Sequence, residues 1–494
     1  MKKQFDKDLN RTDENSINPK ELINSVKRDI EEVSSFNTFE ITQNSLNEII
    51  KTAKPINFGE LTGNKDVEKA KGSKIQVIVI DELVSISNSL KFNMCAQYDN
   101  FYLYNHYFWD KISEEKLQKF LGEFAEKIGL SENMAKYYKF KEHLVNQFRS
   151  TTIVVEKAKD RSKVLMNLKN GTLEITDNGY ELREHRAEDF IKYVLPFSYD
   201  ENARAPLFKR YLDDVIPEID KQYLLAEYCA SAFLPKDSGK IEKVLFLYGN
   251  GANGKSVFFD VFTALLGPDN ITAFSLDELS KENGYNRIEI VDKLMNYASE
   301  IDTKFDFAMF KKLASGEKIT VRSIYKAPFQ TKDYARLMFN INELPEQVEQ
   351  THAFFRRLLI IPFEKEIPDE KQDNELDKKI IRSELAGVFN WIVEGLKRLQ
   401  VNKGFTECDS SNRLIRRYKI DSDTVKLFLE ESGYKPDVNN KISLMHLYGE
   451  FKEFCEKNGY RPLGKKKFKG RLIHCNFYDT KTNSGIEIYC KKSF

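Results

Sequence analysis

The sequence predicts an α/β fold for the centre of the chain, and two observations support this class. An apolar, strand-like run at residues 245–248 leads through a glycine-rich loop into an apolar, helix-like run that ends at Gly267. Three more short apolar runs follow, at residues 294–298, 337–341 and Leu358–Pro362, each beside polar residues. Such runs are typical of strands buried on both faces, as in a parallel sheet covered by helices.

The glycine-rich loop, GNGANGKS, has the spacing G-x-x-x-x-G-K-S of a P-loop. Its glycines let successive backbone N–H groups point at phosphate oxygens, and the following helix adds the partial positive charge of its N-terminus. Lys255 would reach the β- and γ-phosphates of ATP, and the Ser256 hydroxyl would bind Mg²⁺. A glycine turn before a buried helix is the alternative, but the flanking strand and helix and the complete match favour nucleotide binding. The predicted ATP-binding residues are Gly249, Asn250, Gly251, Ala252, Asn253, Gly254, Lys255 and Ser256.

Polar residues follow two of the later apolar runs. Ser299 and Glu300 come after the run at 294–298, and Asn342 comes after the run at 337–341. A carboxylate at a strand end can polarise the attacking water, so we predict that Glu300 is the general base. The Asn342 amide can hydrogen-bond the γ-phosphate or that water.

Two adjacent arginines, Arg356 and Arg357, precede the run Leu358–Pro362. Because a guanidinium is almost never buried without a partner, we expect this pair at the surface. It is either a solvated rim pair or an arginine finger that reaches the γ-phosphate bound by a neighbouring subunit. We favour Arg357 over Arg356 as the finger.

The composition describes a multidomain globular chain. Its 494 residues suffice for about three domains, and 41% of them are hydrophobic. A polar start and the lack of a long apolar run predict neither a signal peptide nor a membrane span, so we expect a cytoplasmic protein without membrane contacts. Scattered cysteines without a C-x-x-C pair predict neither a zinc site nor a disulfide framework. Because the net charge is only +1, any basic nucleic-acid surface must be local.

The chain before the P-loop predicts a mixed α+β region. Residues 75–86, IQVIVIDELVSI, are predicted as a buried strand; its acidic end lies too far upstream of the P-loop to be an ATP-site element. An aromatic hairpin is predicted around Asn105-His106, helices over 114–150, and short strands at 164–168 and in NGTLEI. Helical spacing then continues to Pro235.

The motifs GNGANGKS, YASE, GEKITVRSIYKAPF, FNINELP and FFRRLLIIPF resemble, in order and compact spacing, the motif series of superfamily 3 helicases. They are especially similar to the helicase half of phage and plasmid primase–helicases, and to replication proteins of staphylococcal pathogenicity islands and cassette chromosomes. The resemblance covers about residues 101–391 and implies a RecA/AAA+-like core that assembles as a homo-hexamer on DNA.

The chain departs from this family in two places. Only one carboxylate stands in the second motif, so the outer Mg²⁺ contact would pass through Ser299 or water. The N-terminal region is too short for a primase catalytic domain, so primer synthesis is not predicted and a separate primase is a candidate partner.

A hairpin or loop is predicted between the strands that carry Glu300 and Asn342. The resemblance places this element in the central channel of the ring, where it contacts DNA. Cations suit phosphates and an aromatic ring suits a sugar or base. A solvated hairpin rim is the alternative. The candidate residues are Lys318, Arg322, Tyr325 and Lys326.

The C-terminal residues predict three helices, beginning with TVKLFLEES, and a hairpin around 483–485. This order indicates a winged helix, whose third helix can enter the major groove of DNA. A solvated basic helix in a protein-contact module is the alternative. The candidate DNA-binding residues are Lys465, Lys466, Lys467, Lys469 and Arg471.

The sequence therefore predicts an ATP-driven ring helicase that initiates or supports replication of a mobile element. The predicted divisions are an N-terminal region (1–96), an accessory domain (97–236), the ATPase core (237–402), a linker (403–420) and the winged helix (421–494). Two rivals remain: a DNA-binding initiator that uses ATP only as an assembly switch, and a small-molecule kinase on a P-loop fold.

Overall fold

The computed structural model describes residues 37–63, 72–98, 100–154, 162–176, 179–235, 241–298, 305–324, 326–345, 351–368, 370, 372–460, 462–483 and 485–493. None of the helices in these ranges is both long and apolar enough to cross a membrane.

The first part, which we call the N-terminal unit (residues 37–154), packs helices against a three-stranded antiparallel sheet. Ser113 starts one of these helices, because its hydroxyl accepts a hydrogen bond from the Lys116 amide at 3.2 Å. The elements are α1 (Thr38–Thr52), α2 (Phe58–Thr62), α3 (Gly72–Ser89), β1 (Met94–Gln97), β2 (Asn100–Tyr104), β3 (Trp109–Ile112), α4 (Glu114–Lys127), α5 (Glu132–Lys136) and α6 (Tyr138–Thr152). One hydrophobic core runs from Leu46 to Phe148, so the predicted division at residue 97 lies inside it.

The prediction of a strand at residues 75–86 is wrong, because this segment lies within helix α3. Its β-branched residues favour a strand locally, but the buried side chains Ile75, Val79 and Leu83 recur at the four-residue spacing of one helix face. Val77, on another face, is 40% exposed. Packing against the N-terminal core thus overrides the local preference.

The next segment, residues 162–235, forms an antiparallel meander followed by two helices. It contains β4 (Lys163–Leu168), β5 (Gly171–Thr176), β6 (Gly179–Arg183), α7 (Pro206–Val215) and α8 (Ile219–Ala230), with 3-10 turns at Ala187–Asp189 and Ser231–Phe233. The predicted strands and helices here are confirmed. Their buried residues share one core with the central sheet, so α7 and α8 pack against the sheet that carries the glycine-rich loop.

The centre is a five-stranded parallel sheet with the strand order β13-β7-β12-β9-β8. All its strand pairs are parallel, which confirms the α/β class predicted for this part of the chain. Its elements are β7 (Val244–Tyr248), α9 (Lys255–Leu266), β8 (Ile271–Thr272), α10 (Leu276–Ser280), α11 (Tyr285–Glu289), β9 (Met295–Ala298), α12 (Phe307–Ser315), β10 (Ile319–Val321), β11 (Phe329–Thr331), β12 (Arg336–Ile341), α13 (His352–Phe355) and β13 (Leu358–Pro362), with a 3-10 turn at Pro268–Asn270.

Three helices close the sheet: α14 (Leu376–Ser383), α15 (Leu385–Asn402) and α16 (Asp409–Asp421). Residues 403–420, interpreted as a linker, are thus mostly helical. Helix α16 packs into the sheet core through Leu414, Ile415 and Tyr418, which recur at helical spacing. So few core residues within a polar segment indicate a helix only weakly.

The C-terminal unit (residues 424–493) has its own hydrophobic core. It comprises α17 (Thr424–Glu431), β14 (Tyr434–Ser443), α18 (Leu444–Lys457), α19 (Lys465–His474), β15 (Tyr478–Thr482) and β16 (Gly485–Lys492). The three helices and the hairpin agree with the sequence. Strand β14 was not expected; it pairs with β16 through a register shift between Pro436 and Lys441, so it shows no simple alternation.

Candidate functional site

The glycine-rich loop joins β7, in the interior of the sheet, to the N-terminus of α9. Ala252 (φ +58°) and Gly254 (φ +85°) adopt left-handed conformations. Left-handed residues alternating with right-handed ones turn successive amides toward one side and form a concave site for anions. The loop therefore has the backbone geometry that phosphate binding requires, at the carboxyl edge of a parallel sheet.

Lys255 lies under this loop and is only 6% exposed. Its ammonium donates to the carbonyl oxygen of Gly249, to that of Asn250 at 3.3 Å and to Asn253 Oδ1 at 3.1 Å. Burial lowers the pKa of Lys255 to about 8. A phosphate placed in the loop would replace neutral acceptors by an anion, so this lysine is suited to phosphate binding.

Two neighbouring segments hold the loop in place. On one side, the Tyr211 hydroxyl of α7 donates to the Gly254 carbonyl at 2.8 Å, and a Cβ at Gly254 would lie 2.8 Å from Val215. On the other side, the chain after β13 crosses the loop: Ile367 N donates to the Ala252 carbonyl at 2.9 Å, and Asn253 Nδ2 donates to the Phe363 carbonyl at 3.1 Å. Glycine is required at position 254 because no side chain fits against α7.

The sequence did not identify the residues that support the loop from a distance. Lys221, at the start of α8, is 1% exposed and pairs with Glu218 and Glu364, each at 3.0 Å. It thereby fixes the segment that crosses the loop. The sequence cannot indicate that Lys221 is buried and paired, because its partner Glu364 lies 143 residues away.

Asn342 and Ser256 lie at the same edge of the sheet. Strand β12 is the neighbour of β7, so Asn342, which follows β12 and is exposed, lies beside the loop. Strand β9 is the next strand along and ends at Ala298. Ser299 and Glu300, which follow it, lie outside the described residues. Ser256 is exposed at the start of α9, so its hydroxyl is accessible to a phosphate-bound Mg²⁺.

The two arginines lie at the opposite edge. Arg357 O accepts a hydrogen bond from Val244 N, the first residue of β7, so the pair sits about 17 Å, or five residues of strand, from the loop. Arg357 is 7% exposed and donates to Ser315 Oγ at 2.9 and 2.7 Å and to the Ala353 carbonyl at 2.6 Å. The expectation that both arginines are at the surface is therefore wrong for Arg357, which is buried with partners.

Arg356, by contrast, has a side chain that is 50% exposed and contacts Glu242 Oε2 at 3.2 Å. It can leave this surface ion pair at little cost. Of the two, Arg356 is thus the side chain that can reach another molecule, which reverses the preference for Arg357.

The predicted hairpin is present as β10 and β11, which pair antiparallel from Ile319↔Thr331 to Val321↔Phe329. Lys318 and Arg322 are exposed, and Arg322 Nε donates to the Lys326 carbonyl at 3.2 Å. Lys326 Nζ lies 3.6 Å from Glu114 Oε2 of the N-terminal unit. Tyr325 lies outside the described residues.

The base of the hairpin is fixed by Arg287 of α11, another residue that the sequence did not single out. Its guanidinium is 3% exposed and donates to the carbonyls of Thr320 at 3.0 Å, Leu279 at 2.8 Å and Lys281 at 2.6 Å. Because all these partners are backbone carbonyls, no charge pattern could have revealed it.

The basic helix α19 divides into two sets of residues. Lys465, Lys466 and Lys467 are exposed. Lys469 instead pairs with Asp479 at 2.6 Å, and Arg471 pairs with Asp423, which is 2% exposed. The last two side chains therefore hold the C-terminal unit together.

A cleft of about 1320 Å³ separates α19 from the carboxyl edge of the sheet. Tyr248 and Leu344 line it on the side of the sheet, and Lys467 and His474 line it on the side of α19. One face of the basic helix thus lines a cleft that ends at Tyr248, the last residue of β7.

Comparisons with known proteins match three separate parts of the chain. Residues 85–217 match the family model described as D5 N terminal like, and residues 420–487 match that described as Poxvirus D5 protein-like. Residues 247–357, which contain the glycine-rich loop and the hairpin, match a family of unknown function, DUF5906.

Two curated viral proteins are similar to the chain at low identity. "Putative helicase 121R" of Invertebrate iridescent virus 3 is 21% identical over 364 residues, which are 65% of this chain and 37% of that protein. "Putative helicase L207/L206" of Acanthamoeba polyphaga mimivirus is 25% identical over 215 residues, 41% of this chain and 22% of that protein. The chain thus spans less than two fifths of the length of these relatives.

Solved structures of the NrS-1 C-terminal region are also similar. An apo structure of its A form has a TM-score of 0.47 at 12% identity and covers 83% of this chain and 98% of that one. A second apo structure, of residues 305–718, has a TM-score of 0.44 at 13% identity and covers 84% and 99%.

Proposed function

We propose that this chain is an ATP-dependent DNA helicase of a primase–helicase-like, D5-related replication group. One observation carries the proposal: a glycine-rich loop with P-loop spacing and a buried lysine stands at the carboxyl edge of a parallel sheet whose chain also inserts a basic hairpin between β9 and β12. The D5-like matches and the helicase-named viral relatives support a role in replication.

In the proposed mechanism the loop amides and Lys255 would hold the phosphates of ATP, while Ser256 and Ser299 or water would hold Mg²⁺. The metal would neutralise phosphate charge and orient the γ-phosphate. Glu300 would accept a proton from the attacking water, and Asn342 would orient that water.

The position of Arg356 favours a ring over a monomer. Within one chain it lies at the edge of the sheet away from the loop, so it cannot reach this chain's own γ-phosphate. It can act as a finger only on ATP bound by another copy. We therefore propose an assembly of several copies. Superfamily 3 best accounts for the motif order, and this resemblance implies a homo-hexamer.

The order of elements in the C-terminal unit, α17-β14-α18-α19-β15-β16 with the sheet order β14-β16-β15, supports a winged-helix-like module. We assign its three exposed lysines on α19 to duplex DNA, and Lys318, Arg322, Tyr325 and Lys326 of the hairpin to the translocated strand.

The test is ATP hydrolysis by the purified chain with and without single-stranded DNA, with Lys255→Ala as the matched variant. We expect hydrolysis that DNA stimulates and that Lys255→Ala abolishes, together with rings in negative-stain images in the presence of an ATP analogue and DNA. Phosphate transfer to a small molecule without any effect of DNA would favour the kinase alternative instead.

A further inference from the structure

The turn between β1 and β2 contains a residue that its backbone does not favour. The register pairs Gln97 with Asn100, so Tyr98 lies between the paired ends of the two strands. Tyr98 has φ +53°, in the left-handed region that suits glycine or asparagine and disfavours a bulky residue. Its side chain is 49% exposed, so core packing does not explain its presence. Backbone strain of this kind is often retained at functional sites.

The Tyr98 ring lies against the β10–β11 hairpin. It stacks on Phe329, the first residue of β11, with ring centroids 5.5 Å apart and an interplanar angle of 14°. Arg322 and Lys326 belong to the loop of the same hairpin, and the Arg322 guanidinium lies 5.9 Å from the Tyr285 ring. The N-terminal unit thus contacts the hairpin through a stacked ring pair and through the ion pair of Glu114 with Lys326.

We propose that Tyr98 and Phe329 form a base-stacking platform for single-stranded DNA, so that the N-terminal unit contributes directly to the DNA path. The inference rests on the proposed function and extends it to a residue far from the ATPase motifs. A nearly parallel ring pair presents a flat face on which a base can continue the stack, while Arg322 and Lys326 face the phosphates. Duplex DNA does not fit this chemistry, because its bases are already stacked on each other.

The turn geometry allows a clean substitution. Tyr98→Gly removes the ring and places glycine, which tolerates a positive φ, at this position. The connection between β1 and β2 is therefore kept. Tyr98→Trp keeps an aromatic face. Tyr138→Ala is the matched control, because Tyr138 is a 58% exposed tyrosine of the same unit on α6.

Affinity for fluorescently labelled oligo(dT) should fall at least about five-fold in Tyr98→Gly, as expected for the loss of one stacked base, and stay near wild type in Tyr98→Trp and Tyr138→Ala. The slope of log affinity against log salt should remain that of the wild type in Tyr98→Gly, because a ring makes no phosphate contact. Lys326→Ala should lower that slope by about 0.7, the value for one phosphate contact on a single strand.

Photocrosslinking identifies the contact itself. Oligonucleotides with 5-iododeoxyuridine should crosslink to the peptides that contain Tyr98 or Phe329, and the Tyr98 crosslink should be lost in Tyr98→Gly. Unchanged affinity in Tyr98→Gly, with crosslinks only elsewhere, would overturn the platform and leave the proposed helicase intact. A wild-type chain that binds no single-stranded DNA would overturn both.

Discussion

At the scale of single residues, Lys255 couples phosphate binding to a proton. Burial lowers its pKa to about 8, so the free protein loses the lysine proton in a mildly alkaline solution. A bound phosphate stabilises the charged form and raises the pKa in the complex. Affinity is therefore constant below about pH 8 and falls as the pH rises from the free toward the bound pKa, where binding takes up a proton.

We accordingly expect ATP affinity, measured by calorimetry from about pH 7.5 to about pH 9.5, to fall by up to tenfold per pH unit above the free pKa. Titrations in two buffers of different ionisation enthalpy should show proton uptake at the alkaline end. AMP, which lacks the phosphates that Lys255 reaches, is the control ligand. An ATP affinity that is flat across this range would show that the lysine does not contact the phosphates.

The two adjacent arginines give a matched pair of substitutions. Arg356→Ala should leave the melting temperature unchanged, because it removes one exposed ion pair, and should lower the ATPase rate about 10³-fold or more if Arg356 is the finger. Arg357→Ala should instead destabilise the chain by about 1–3 kcal/mol, because it leaves Ser315 Oγ and the Ala353 carbonyl without their donors. Thermal melts and ATPase rates of both variants distinguish the roles.

A mixing experiment tests whether Arg356 acts on ATP bound by a neighbouring subunit. A ring mixed from Arg356→Ala and Glu300→Gln subunits contains some interfaces with an intact arginine and an intact carboxylate. We expect partial recovery of hydrolysis on mixing. If subunits exchange, as labelled subunits would show, and no activity returns, then Arg356 does not act on a neighbour.

At the scale of elements, the Glu114 carboxylate of α4 pairs with Lys326 of the β10–β11 hairpin. A DNA phosphate that binds Lys326 would have to displace this carboxylate. Glu114 Oε2 lies 3.6 Å from both Lys326 Nζ and Arg149 Nη2. Glu114→Gln should therefore strengthen single-stranded DNA binding by up to about fivefold, the range of a surface ion pair. Glu123→Gln, on the same helix and paired with Lys119, is the control. Fluorescence anisotropy with oligo(dT) measures the change, and a weaker affinity in Glu114→Gln would contradict the competition.

Substitutions on the basic helix α19 should fall into two classes, those that weaken DNA binding and those that destabilise the fold. Replacing Lys465, Lys466 and Lys467 by Ala should weaken duplex binding and lower the log–log salt slope by about 0.9 for each lost phosphate contact. Arg471→Ala should mainly destabilise the C-terminal unit, because it leaves the buried Asp423 carboxylate without its arginine. Duplex affinity against salt, together with melting curves, checks both outcomes. Unchanged duplex binding in the triple variant would make the unit a protein-contact module.

At the scale of the whole molecule, the sequence predicted the elements whose signals are local. The parallel strands, the glycine-rich loop and the β10–β11 hairpin could be predicted because apolar runs, glycine spacing and strand alternation lie within a few residues. Helix α3 could not, since its β-branched residues suggest a strand until its partners in the N-terminal core are known. The residues that hold the loop and the hairpin in place could not be predicted either. Their partners are backbone groups or residues distant in sequence, as for Tyr211, Lys221 and Arg287.

In the proposed helicase, ATP hydrolysis at the glycine-rich loop drives the separation of DNA strands. The decisive measurement is unwinding of a fluorescently labelled forked duplex by the wild type and by Glu300→Gln, with ATP and with a non-hydrolysable analogue. We predict strand separation only by the wild type with ATP, while Glu300→Gln binds ATP and the fork but leaves the duplex intact. Strand separation that is equal with the analogue, or ATP hydrolysis without any separation, would contradict the claim and identify ATP as an assembly switch.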